Sequence, residues 1–391
     1  MSRRIGLLTF HSAFNEGAVL QATALFTALQ KRFPKDRVEF IDYRPPYYEK
    51  SYWYYLVYST KNPVTVLRRA ARVRRIWRFL LRTSNISRRK LITSDYDTCV
   101  AWLKGEYDAI VVGSDEIWKT EFGVTFPNIY WLSERLECRK AAYAASANKL
   151  RYHELSPDER NWMQRQLRTF GFVGVRDNHT LDMVRDIGGV DSSRLAKVPD
   201  PTFFMYQAPT NADARVKDVL TRKGIDLTRP ILGITFVVPN INRELLKHFK
   251  DQGYQTVGMT QDNPDVDVNL VGYFDPLEWS LVYRHFSLCL TNLFHGTIFC
   301  LQGAVPFLSF DYSSALNGEY ETKLKCLLDE FQLSDRYVAA EGVDISLDQV
   351  LSMSSTVLRT HDASAIRRSV EQTQQRAEAG LDRVAASLTN P

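Results

Sequence analysis

Short apolar runs alternate with stretches of helical periodicity almost from the first residue. Ile5–Phe10 predicts a strand, the spacing of apolar positions over Val19–Phe33 predicts a helix, and Val38–Ile41 predicts a second strand. Strand, helix, strand is a βαβ opening, which implies parallel pairing. Further strands are predicted at Ala109–Val112, Ala141–Ala145 and Phe172–Val175, the last leading into a helix near Leu181–Ile187. A polar, proline-containing stretch from about 208 to 229 separates this series from a second one. The second reads strand Ile231–Val237, helix Arg243–Phe249, strand Thr256–Met259, helix Leu277–Arg284, strand Leu288–Thr291, helix Gly296–Leu301 and strand Pro306–Phe310. A polar helix over Ser364–Leu388 closes the chain and is expected to return across the first domain.

At about 100–200 residues per domain, 391 residues suit two domains. The alternation predicts an α/β protein of two Rossmann-like, doubly wound domains facing a cleft, residues 1–205 and 206–391, with ligands at the carboxyl ends of the strands.

Composition narrows the chemistry. Lys and Arg number 50 against 45 Asp and Glu, 45% of residues are hydrophobic, and the mean hydropathy is −0.27, as in an ordinary folded enzyme. No apolar run approaches the roughly 20 residues of a bilayer span, and the opening apolar stretch is too short for a signal peptide. Five scattered cysteines without a C-x-x-C pair argue against disulfides and zinc and fit a reducing cytoplasm. Seven scattered histidines and the lack of a glycine-rich phosphate loop count against zinc hydrolysis, NAD chemistry and ATP hydrolysis; neither metal nor cofactor is expected.

The net charge of +5 hides one concentrated segment. Residues 68–90 carry ten basic side chains and no acidic one, so the rest of the chain sums to −5. That pattern suits a local device rather than a nucleic-acid-binding face. Val66, Ala70, Val73, Trp77 and Leu80 recur at helical steps, predicting a basic amphipathic helix over 64–90 in the first domain. Tyr43, Tyr47, Tyr48, Tyr52, Trp53, Tyr54, Tyr55 and Tyr58 cluster just upstream.

Four strand ends carry candidate chemistry. His11 to Ala18 join the first strand to its helix, where backbone N–H groups and the helix end suit an anion, although Asn15 and Gly17 also read as a plain turn. Asp115, after strand Ala109–Val112, can deprotonate a hydroxyl or cap a following helix. Arg176, after Phe172–Val175, can grip a carboxylate or phosphate or pair with Asp177. His295 stands between a strand and the first turn of a helix, as a general acid–base or a structural hydrogen-bonding group.

Together these stretches resemble the polysaccharide pyruvyl transferase family. The matching pieces are Asn15-Glu16-Gly17-Ala18-Val19-Leu20-Gln21-Ala22, Ile41-Asp42-Tyr43, Val112-Gly113-Ser114-Asp115-Glu116-Ile117-Trp118 and Ala142-Tyr143-Ala144-Ala145-Ser146. They continue in order with Val175-Arg176-Asp177, Asp200-Pro201-Thr202, Phe294-His295-Gly296-Thr297-Ile298-Phe299 and Leu333-Ser334-Asp335-Arg336. The resemblance implies a glycosyltransferase B type fold with the acceptor on the first domain and the donor on the second. It implies transfer of the enolpyruvyl group of phosphoenolpyruvate onto two hydroxyls of a sugar in a bacterial exopolysaccharide or capsule unit, with release of phosphate. His295 would be catalytic with Asp115; Arg176, Asn15, Gly17, Phe294, Gly296, Thr297 and Lys323 would bind the donor; Gln21, Ser114 and Trp118 would face the acceptor. Asn292 and Leu293 depart from the family, where many relatives carry Asp and Ser or an Arg before the histidine. Lys323 replaces a lysine that some relatives place sooner after the next strand.

The Arg-rich helix and aromatic cluster suit a peripheral site at the inner face of the cytoplasmic membrane, with a lipid-carrier-linked acceptor. A solvated helix packing its apolar stripe on the first domain is the other reading. A nucleotide-sugar glycosyltransferase on the same fold is the alternative activity, and a non-enzymatic binder of an acidic partner is a third reading, opposed by the lack of a nucleic-acid motif.

Overall fold

The computed structural model describes residues 2–58, 62–119, 126–148, 150–205, 210–313, 321–342 and 344–389. The side chains of Tyr52, Trp53 and Tyr58 in the aromatic cluster lie outside the described set, as do residues 208 and 209 of the predicted separator. The chain divides into two units, Met1–Ser59 with Arg78–Met205 and Thr373–Pro391, and Thr60–Trp77 with Tyr206–Gln372.

The first unit holds a seven-stranded sheet of β1 (Arg4–Leu8), β2 (Arg37–Arg44), β3 (Ile86–Ile92), β4 (Ala109–Val112), β5 (Arg139–Ala145), β6 (Phe172–Val175) and β7 (Leu195–Lys197). The order is β3-β2-β1-β4-β5-β6-β7, and every neighbouring pair is parallel. Parallel sheets covered on both faces need uninterrupted apolar strands, and Ala109–Val112 is buried throughout. The chain leaves β1 in one direction and resumes at β4 in the other, so the carboxyl ends of Leu8 and Val112, register partners, flank the topological switch point.

Helices Glu16–Arg32, Tyr96–Leu103, Pro157–Arg168 and Asn178–Ile187 belong to this unit and begin at side-chain caps, Asn15, Asp95, Ser156 and Asp177. The end of helix Ala363–Thr389 is part of the same unit. Tyr143 Oη donates to Ala377 O at 3.2 Å, and Arg3 and Arg139 both donate to Leu388 O at 2.8 Å, giving the negative helix end two cations.

The second unit repeats the plan with β8 (Ile231–Ile234), β9 (Gln255–Gly258), β10 (Val268–Asn269), β11 (Leu288–Thr291), β12 (Phe307–Asp311) and β13 (Tyr337–Ala339). Its order is β10-β9-β8-β11-β12-β13, again parallel at every pair, with the switch between β8 and β11. Leu232, Ile234, Leu288, Leu290, Leu308 and Phe310 from the strands pack with Leu245, Leu246 and Phe249 of helix Asn242–Asp251.

Three expectations change. The predicted separator contains helix Thr210–Arg222, a charged surface helix of too few apolar positions to announce itself. The basic helix runs over Pro63–Thr83 and stops there; Arg88, Arg89 and Lys90 lie on the edge strand β3. Residues Pro63–Trp77 of that helix group with the second unit, not the first. Long-range polar contacts decide this: Arg68 Nη1 pairs with Asp262 Oδ1 at 2.6 Å, Arg75 Nε donates to Gly272 O at 2.7 Å, and a Cβ on Gly272 would meet Arg68 O at 2.6 Å. Among the described residues no helix is long and apolar enough to cross a membrane.

Candidate functional site

At the switch point of the first sheet, the loop after β1 carries His11 and Asn15 and the loop after β4 carries Ser114 and Asp115. Asn15 Oδ1 accepts from Gly17 N at 2.9 Å and Ala18 N at 3.3 Å, so both amides are engaged by the helix cap. This is the turn that the sequence left open, and it occupies the donors expected to hold an anion.

Among the described residues Asp115 caps no helix; the next helical turn after β4, Ile129–Trp131, is capped by Asn128. Asp115 sits at φ 79°, a left-handed conformation that Asp tolerates better than most residues. Its Oδ1 accepts from Arg176 Nη2 at 3.3 Å. Arg176, at the carboxyl end of β6, also donates from Nη1 to Asp200 Oδ2 at 3.1 Å. Its sequence neighbour Asp177 instead caps helix Asn178–Ile187 through Thr180 N at 2.8 Å.

Burial would by itself lower the Arg176 pKa; the carboxylates of Asp115 and Asp200, then Asp177 and Glu116, outweigh it and hold the guanidinium charged, above the ordinary arginine value. Asp200 is in turn fixed by Gln21 Nε2 at 2.8 Å, Thr202 N at 2.9 Å and Thr202 Oγ1 at 2.7 Å. The result is a rigid, buried fork whose orientation is set from three segments of the chain.

The expected acceptor residues are interior ones. Trp118 is fully buried, stacked on Trp131 with ring centroids 4.7 Å apart, and its indole N–H donates to Tyr130 O at 3.1 Å. Gln21 is buried, its Nε2 on Asp200, and its Oε1 and the Ser114 hydroxyl have no hydrogen-bond partner among the described residues.

Two residues that sequence reasoning passed over lie in this region. His11 is fully buried, stacked on Phe40, with Nε2 3.3 Å from Asp42 Oδ1. Burial would raise the Asp42 carboxyl; its bonds to His11 and Arg44 outweigh that and bring it below the ordinary carboxylate value. Tyr48, in helix Pro46–Trp53, rests on Phe10 at 5.1 Å, and burial followed by the charges of Asp115 and Glu116 drives its phenol far up, so it stays a donor. In the sequence His11 was visible only as the start of the loop to Ala18, and Tyr48 only as one member of an aromatic run.

At the switch point of the second sheet, Thr235 after β8 and Thr291 at the end of β11 share a hydrogen bond of 3.2 Å, and Asn292 N donates to Thr235 Oγ1 at 3.1 Å. Leu293 N donates to Thr291 Oγ1 at 3.1 Å. Helix Phe294–Gly303 then starts at Leu293 with no side-chain cap. His295 lies in its first turn, 8% exposed, edge-on to Phe294 at 5.4 Å. A Cβ on Gly296 would fall 2.4 Å from Thr291 Oγ1, so this close approach of helix to strand requires glycine.

Thr297 is buried and faces inward, its hydroxyl 2.7 Å from that of Ser309. Lys323 Nζ stands 5.2 Å from the centroid of the Phe294 ring, so the structure brings Lys323 to the start of the His295 helix. Asp311, at the end of β12, holds that arrangement by accepting from Thr322 Oγ1 at 2.5 Å and Tyr337 Oη at 2.9 Å, Thr322 being the cap of helix Lys323–Glu330. Ser314 lies outside the described residues. Among the described residues no group of three or more His, Cys, Asp or Glu is placed to hold a metal ion.

A family model described as polysaccharide pyruvyl transferase matches residues 15–314. No curated protein matches significantly. Among solved structures, UDP-GlcNAc 2-epimerase from Neisseria meningitidis bound to UDP-GlcNAc is similar with a TM-score of 0.59 at 8% identity, over 98% of this chain and 99% of that one. A putative UDP-N-acetylglucosamine 2-epimerase from Listeria monocytogenes gives 0.52 at 10% identity, over 99% and 96%. At such identities the likeness shows the fold alone, two parallel-sheet α/β domains of the glycosyltransferase B type.

Proposed function

Because the chain belongs to the polysaccharide pyruvyl transferase family, we propose that it moves the enolpyruvyl carbons of phosphoenolpyruvate onto two hydroxyls of one saccharide, forming a pyruvate ketal. The observation that carries the donor assignment is the uncapped start of helix Phe294–Gly303, with His295 in its first turn and the Lys323 ammonium beside Phe294. An open helix end and a cation together suit the donor's phosphate.

His295 gives a proton to the donor's methylene carbon, which becomes the methyl group, and C2 takes on oxocarbenium character. A sugar hydroxyl adds to C2, the C2–O bond to phosphate breaks, and a second hydroxyl closes the ketal. One hydroxyl proton replaces the one spent by His295 and the other leaves with phosphate, so the reaction balances without an oxidant or a metal. Asp115 accepts a proton from the attacking hydroxyl. Arg176, kept charged and oriented by Asp200 and Asp115, pairs with the donor carboxylate.

The test is calorimetry with phosphoenolpyruvate and, in parallel, a uridine-diphosphate sugar, followed by phosphate release with candidate saccharides. Saturable donor binding retained in His295→Gln, with phosphate release reduced by about 10²–10⁴-fold, is expected. Tight nucleotide-sugar binding with no phosphoenolpyruvate binding would replace this reading with a glycosyltransferase.

The acceptor is proposed to be lipid-carrier-linked and met at an anionic membrane surface. Val64 and Leu67 on helix Pro63–Thr83 are 52% and 70% exposed just before the arginine-rich segment, an apolar and cationic combination suited to the lipid interface.

A further inference from the structure

The first unit has a cavity of about 400 Å³ far from the strand ends considered so far, lined by Arg4, Arg37, Glu39, Arg88, Arg89 and Trp102, with Glu106 and Tyr107 at its side. Arg4 opens β1, Arg37 opens β2 and Tyr107 precedes β4, so the cavity is at the amino ends of three parallel strands, with Arg88 and Arg89 bordering it from within the edge strand β3. Its volume falls within the range of small-molecule sites.

Its construction goes beyond a patch of surface charge. Glu39 is 1% exposed, and its two oxygens pair with Arg4 Nη2 at 3.2 Å and Arg37 Nη2 at 2.7 Å, while Tyr107 Oη donates to it at 3.1 Å. A buried carboxylate is costly to desolvate, and here it fixes two guanidinium groups at the cavity. Arg4 also pairs with Glu106 at 3.3 Å and lies over the Tyr107 ring at 5.0 Å; Arg89 pairs with Glu106 and lies over Trp102 at 5.7 Å. Three of the four arginines are thus held in place.

Arg88 differs, having no ion pair or hydrogen bond among the described residues. Four guanidinium groups against two carboxylates leave the lining at a net charge of +2. That excess matches a phosphate dianion better than a single carboxylate, and forked N–H donors fit phosphate oxygens.

We propose that this cavity is a second ligand site, which binds the phosphate dianion of a small phosphorylated metabolite at the end of the sheet opposite its carboxyl-terminal switch point. Arg88 supplies the charge that no carboxylate among the described residues neutralises, and Arg4 and Arg37 are donors preset by Glu39. The site is independent of the transfer reaction proposed above.

The test is calorimetry on the full chain with glucose 1-phosphate, inorganic phosphate and glucuronate. Saturable phosphate binding is expected, about tenfold weaker in Arg88→Gln and unchanged in His295→Gln. Arg88 is exposed and unpaired among the described residues, so its replacement leaves the fold intact. Glucose 1-phosphate binding more tightly than inorganic phosphate identifies an ester as the occupant, and equal affinities identify the free ion. No saturable phosphate binding, an affinity unmoved by Arg88→Gln, loss of binding in His295→Gln, or glucuronate binding as tightly would each overturn the proposal.

Discussion

Arg176 Nη1 lies 3.1 Å from Asp200 Oδ2, with the two side chains 3% and 2% exposed. Nearly all the hydration of both charges has been given up, so each depends on the other and on Asp115, Gln21 and Thr202 around them. Removing one partner of such a pair leaves an uncompensated buried charge. Asp200→Ala is therefore expected to cost about 3–5 kcal/mol of stability, measured by urea unfolding, with Asp200→Asn milder because it keeps an acceptor for Thr202. A loss below 1 kcal/mol in Asp200→Ala would mean that Asp115 alone satisfies the guanidinium.

The tight junction of Gly296 with Thr291 makes a second prediction. With only 2.4 Å between a new Cβ and Thr291 Oγ1, Gly296→Ala must push the first turn of the His295 helix away from β11. A destabilisation of about 1–3 kcal/mol is expected. Adding Thr291→Ala removes the obstructing oxygen, so the double variant should lose less than the sum of the singles. Additive losses would locate the clash elsewhere.

Acid sensitivity is expected to pass partly through Asp42. Its carboxyl, buried yet bonded to His11 and Arg44, is held below the ordinary value of 3.8. A folded-state value below the unfolded one means that the stabilisation is complete above the ordinary carboxylate range and is lost as the pH falls below it. Thermal unfolding of Asp42→Asn between pH 6 and 3 should show a shallower acid limb than the parent protein. Identical slopes would show that Asp36, Asp213 and Asp267, held low in the same way, carry the effect.

Membrane association is tested by flotation with anionic vesicles. Arg74 and Arg78 are exposed on helix Pro63–Thr83, and replacing each by Gln should weaken binding roughly fivefold if they face lipid headgroups. Unchanged flotation would leave the helix as a packing element, since Val73, Ile76, Phe79 and Leu80 are already buried.

Local pattern alone determined much of the architecture. Ala109–Val112, Phe172–Val175 and Leu288–Thr291 were legible residue for residue, because a strand covered on both faces must be apolar throughout and the loops that follow are polar. The same patterning put Asp115, Arg176 and His295 at strand ends. Strand β3 was not legible: Ile86–Ile92 is an exposed edge carrying two arginines and a lysine, so nothing in its composition required burial.

Tertiary structure decided the partners. Arg176 pairs across 61 and 24 residues with Asp115 and Asp200 rather than with its neighbour Asp177, whose carboxylate is taken by a helix cap. Trp118 went to the core and Lys323 to the ring of Phe294, and Glu39 drew Arg4 and Arg37 to the amino ends of their strands. Periodicity along the chain records which face of an element is dry, a local property. Which charge meets which depends on how distant strands are ordered in the sheet, and that order exists only once the chain has folded.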